Sequence, residues 1–88
     1  MEYEIVKVSA RSMPKLVAGA IAAVIREGRK AEVQAVGAGA TNQAVKAIAI
    51  ARVYMHAENV ELICKPAFTV IPIDGVEKTA IQLIVEVR

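Results

Sequence analysis

The sequence predicts an α+β fold: a two-layer sandwich, βαβαββ, with two helices on one face of a mixed four-stranded sheet. Three observations carry that expectation. Short β-branched stretches stand at both ends of the chain, at Tyr3–Val8 and Lys78–Val87. Apolar residues recur at helical spacing from Met13 to Ile25. Gly37–Tyr54, reading GAGATNQAVKAIAIARVY, passes from a glycine turn into an alanine-rich helix. With 88 residues there is room for one domain, 1–88, and a modest core.

Tyr3–Val8 alternates loosely and reads as the first strand. Ser9–Ser12 is a polar loop, and Pro14 stands where helices begin. Met13, Leu16, Val17, Ala20, Ile21, Val24 and Ile25 then fall at i, i+3, i+4, i+7, i+8, i+11 and i+12, one apolar stripe. The remaining face, Ala18, Gly19, Ala22 and Ala23, is small and admits a close neighbour. Gly28 ends the helix, with Arg26 near the negative end of its dipole.

Ala31–Val36 is a short second strand leading into the turn. Gly37 and Gly39 suit a tight strand-to-helix connection, and Thr41 or Asn42 is placed to cap the helix that follows. Such a start, with free N–H donors and partial positive charge, can hold an anion; equally, the glycines simply let the chain turn closely over a sheet. The helix runs to about His56. Alanines on nearly every side of it predict burial on more than one face.

Asn59–Ile73 is a third strand region carrying Pro66 and Pro72, which places it at a sheet edge or in a bulge. Asp74-Gly75 signals a hairpin turn. Lys78–Val87 puts Ile81, Leu83, Val85 and Val87 on one face. Helix-linked parallel strands cross over right-handed, so both helices cover the same face of the sheet.

Composition narrows the function. Hydrophobic residues are 56% of the chain, much of it alanine, so some apolar surface is expected to meet a second copy. Net charge is only +2. Between Ser9 and Ala57, however, seven Lys/Arg stand against two acids (+5), and the flanks hold four bases against seven acids (−3). The helical middle is basic and the ends are acidic.

A lone Cys64 fits a reducing compartment, the start MEYEIVKV lacks a signal-peptide pattern, and no run is long enough to span a membrane; a cytoplasmic protein is expected. Cys64, in the apolar stretch ELIC, reads as a core residue, and Glu58 and Glu61 as solvated strand positions. His56 suits the helix C-terminus. One histidine and one cysteine in separate elements give no metal-ligand spacing, and Ser9 and Ser12 have no nearby base. No enzyme, metal or cofactor is expected.

Nucleic acid is the better-supported partner. If the first two strands run parallel, both helices start at one end of the sheet, and Arg11, Lys15 and Lys46 share that edge with two helix N-termini. Asn42 and Gln43 would donate hydrogen bonds there, and Lys78 would reach in from the hairpin. With only Tyr3, Tyr54 and Phe68 aromatic, a stacking platform is not expected, and contacts should go to the backbone of DNA or RNA.

The blocks KVSARSMP (7–14), VAGAIA (17–22), GAGATNQAVKAIAIAR (37–52), ELICKPAF (61–68) and DGVEKTAIQLIVE (74–86) closely resemble the stage V sporulation protein S family. The resemblance implies a small cytoplasmic sporulation regulator, related in fold to Alba-like nucleic-acid-binding proteins. It also implies dimers that bind DNA or RNA through basic loops and a hairpin arm. ATNQAVK resembles the Alba helix start, with Gln43 where a basic residue is usual, and Arg11 matches the basic loop before the first helix.

Two other functions remain open. The alanine-rich helix surfaces could instead serve a homo-oligomeric protein-interaction module, with the cations incidental. The Gly37–Asn42 turn could hold a small anionic ligand.

Overall fold

The computed structural model describes residues 3–88; the assignment of residues 1 and 2 to the domain lies outside the described residues. The elements are β1 (Tyr3–Val8), α1 (Pro14–Arg26), β2 (Lys30–Ala35), α2 (Ala38–His56), β3 (Leu62–Ile73) and β4 (Val76–Val87). They form one sheet in the order β1-β2-β4-β3. β1 and β2 are parallel, in register from Tyr3 opposite Lys30 to Val8 opposite Ala35. β4 lies antiparallel to both its neighbours, so the sheet is mixed as expected.

Alternation dictates which strand residues go inward. Ala31, Val33 and Ala35 of β2 stand opposite Val85, Leu83 and Ile81 of β4. Against this strip lie Ala18, Ile21, Ala22, Val24 and Ile25 of α1, and Ala40, Ala44, Ala47, Ile48, Ala51 and Met55 of α2. No polar or charged residue is buried among the described residues.

Two helix expectations change. The seam of α1 is rotated toward its small side: Ala18 and Ala22 are buried, whereas Met13 and Leu16 are 62% and 69% exposed. One-carbon side chains on α1 and on the facing helix layer let backbones come close, which a leucine would prevent. In α2 the buried positions 40, 44, 47, 48, 51 and 55 form a single stripe, leaving Val45 and Val53 exposed. Burial on more than one face is therefore not seen within this chain.

The α2 cap is also corrected. The helix starts at Ala38 with Gly37 as N-cap, and neither Thr41 nor Asn42 caps it. Thr41 lies inside the first turn, where its hydroxyl donates to the Gly37 carbonyl at 2.8 Å. Gly37 takes φ 86° and ψ 165°, a combination essentially reserved for glycine. A Cβ on Gly39 would stand 3.0 Å from the Ala10 Cβ, so the β1–α1 loop lies tight against the α2 start.

β3 is an edge strand, as its prolines require, and runs unbroken through both. Asp74 (φ 51°) and Gly75 (φ 77°) form the two-residue turn. β2 pairs with β4 only from Ile81 to Val85, while β3 pairs with β4 as far as Ile73 opposite Val76. The hairpin therefore projects beyond β2 as a two-stranded arm of about 17 Å, at 3.4 Å per residue. Cys64 is exposed and not in the core, because beyond Leu62 that face of the edge strand is uncovered. Desolvation still holds its thiol above the ordinary range.

Candidate nucleic-acid interface

The parallel pairing of β1 and β2 fixes the location of the site. Both strands end at one rim of the sheet, and α1 and α2 both begin there. Because β4 runs antiparallel to β2, the hairpin arm projects past this same rim. Neither helix has a side-chain cap at its start, and Pro14 occupies the first turn of α1.

Hydrogen bonds within the β1–α1 loop hold Arg11 in place. The Ser9 N–H donates to Ser12 Oγ at 2.9 Å, and the Ser12 N–H donates to the Ser9 carbonyl at 3.1 Å. The Arg11 N–H donates to Ser9 Oγ at 3.2 Å. Gln43 ties this loop to α2: its amide Nε2 donates to the Ser12 carbonyl at 2.9 Å, and Lys46 Nζ donates to its Oε1 at 3.4 Å. Gln43 thus serves as a strut, and one of its donors is already committed.

Arg11, Lys15, Gln43 and Lys46 line one groove between the α1 start and the outer side of α2. Asn42 and Lys78 are not part of it: Asn42 is exposed on the first turns of α2, and Lys78 sits on the arm opposite Ile71. The structure adds Lys7, which lines a cleft of about 340 Å³ at the same rim with Ile71, Pro72 and Ile73 of the arm. Only the fold could reveal Lys7, because strand alternation gives no hint that the arm passes beside it.

Charge is distributed between two poles. Among the described residues every ion pair lies away from the rim. At the helix C-terminal end Arg26 meets Glu58 at 2.6 Å, Arg29 meets Glu4 and Glu27, and Arg88 meets Glu61 at 3.1 Å. On the sheet, Glu86 takes Lys65 at 3.0 Å and Lys30 at 3.9 Å. Glu58 and Glu61, read from the sequence as plain solvated positions, are thus paired. Hydrogen bonding from Arg26 holds the Glu58 carboxyl below its ordinary range, and Lys65 does the same for Glu86. At the rim, Arg11, Lys15 and Lys46 are in no ion pair among the described residues.

His56 lines a separate small cleft with Arg52, Val60 and Glu61 at the far end of α2. No described helix is long and apolar enough to cross a membrane. In comparison with known families, residues 4–88 match the model described as Stage V sporulation protein S (SpoVS).

Proposed function

This chain belongs to the stage V sporulation protein S family, and we propose that it is a non-enzymatic regulator that binds the backbone of DNA or RNA through its rim. The observation that carries this reading is the convergence of Arg11, Lys15 and Lys46, none in an ion pair among the described residues, on one groove beside the α1 N-terminus, at the rim where α2 also begins. Phosphates suit such an edge by charge and by free N–H donors. Asn42 and Lys78, on the helix start and the arm, extend the contact beyond the groove. A cytoplasmic location follows from this role.

A second surface favours self-association. Val45 and Val53 of α2 and Phe68 and Val70 of β3 are exposed, Phe68 at 79%. We infer a homodimer or tetramer that covers part of this apolar area.

Charge reversal separates the two roles. In anisotropy titrations at low salt, Arg11→Glu/Lys15→Glu abolishes oligonucleotide binding, and sedimentation shows the same oligomer as wild type. No oligonucleotide binding by wild type at low salt, with association intact in both wild type and the double variant, would instead make the chain an interaction module whose cations are incidental.

A further inference from the structure

We propose that the groove between the α1 start and α2 accepts an unpaired nucleotide, base inward, with its flanking phosphates on Arg11, Lys15 and Lys46. This deepens, and rests on, the reading of the rim as a nucleic-acid interface. The groove is more than a charged edge. Its volume is about 790 Å³, within the roughly 300–1,000 Å³ of small-molecule sites. Between the cations its lining is apolar: Met13, Pro14, Ala49 and Ile50.

Backbone contact alone leaves that lining unused. A duplex offers phosphates on a convex surface with its bases paired and stacked inside, so it can reach the cations but cannot fill the space between them. An unpaired nucleotide has a free base to turn inward. Met13, 62% exposed, supplies a polarizable thioether against which an aromatic ring packs favourably. Three cations around one mouth exceed what a single anionic head group requires, which favours a chain of phosphates. The Gln43 strut between the Ser12 carbonyl and α2 fixes the two walls before binding.

The preference is diagnostic because general electrostatics runs the other way: a duplex has the higher charge density and releases more counterions per contact. The test is anisotropy at constant salt with the full chain and three probes of matched sequence, each as DNA and as RNA. These are an unstructured single strand, a blunt duplex, and the duplex with one bulged nucleotide. Single strand and bulge are expected to bind about tenfold more tightly than the blunt duplex, the upper end of what a thioether–ring contact supplies.

Ala49→Leu fills the groove from an exposed helix position without changing charge. It is expected to erase that advantage while duplex affinity stays within about twofold of wild type. Equal affinity for all three probes, unchanged by Ala49→Leu, overturns the inserted nucleotide and leaves backbone binding standing. No binding to any probe at low salt overturns both.

Discussion

Gly37 sets the direction in which α2 leaves the sheet. Its φ of 86° with ψ 165° carries the chain off β2 and straight into the helix, in a region where other residues cost roughly 1–3 kcal/mol. Gly37→Ala should therefore lower unfolding stability by about that amount, measured by urea denaturation, although an added Cβ there meets no atom within 4 Å. The two glycines were legible in the sequence as a tight connection. The cap was not, because a cap at Gly37 and a cap at Thr41 differ by four residues, about one helical turn, which periodicity does not resolve. Gln43 was legible as a polar group at the site, but its engagement with the Ser12 carbonyl depends on a loop packing that only the fold supplies.

At the scale of elements, β3 combines a long free edge with two prolines six residues apart. A proline in an unbroken ladder must turn its nitrogen away from the partner strand, so both stand in the outward phase and remove donors that an incoming strand would need. Pro66→Val/Pro72→Val restores them. The variant is expected to show concentration-dependent association by light scattering where wild type keeps a constant oligomeric size. The edge position of β3 was readable from those prolines, and the turn from Asp74-Gly75. The helix seams were harder to read. In α1 the larger residues suggested a stripe through Met13 and Leu16, yet close helix packing selected Ala18 and Ala22. Hydropathy ranks leucine above alanine; a tight interface reverses that order. In α2, alanines on every side gave periodicity little contrast.

Over the whole molecule, the ion pairs among the described residues gather at one pole, and Arg11, Lys15 and Lys46 stand at the other. The basic middle seen in the sequence was a true sign of this, but the pairing that separates Arg26 and Arg29 from Arg11 and Lys15 needed the sheet order to emerge. The two poles respond differently to acid. Glu58 and Glu86 are held below their ordinary range in the folded chain, so their contribution is present above the unfolded carboxylate value of about 4.3 and lost as pH falls through the folded one. The thermal midpoint should therefore hold on going from pH 7 to 5 and decline in stronger acid. Glu58→Gln and Glu86→Gln should each flatten the decline. Neither carboxylate lies at the rim, so oligonucleotide affinity should not follow that decline while the chain stays folded.

The central claim is that Arg11, Lys15 and Lys46 contact phosphate together. Its most direct test is the slope of log K against log salt for wild type and for Arg11→Ala/Lys15→Ala/Lys46→Ala, with Arg52→Ala, a cation at the far end of α2, as control. At roughly 0.7–0.9 per phosphate contact, the triple variant should lose about two to three units of slope and the control none. A slope unchanged in the triple variant, or reduced equally in the control, would contradict the account.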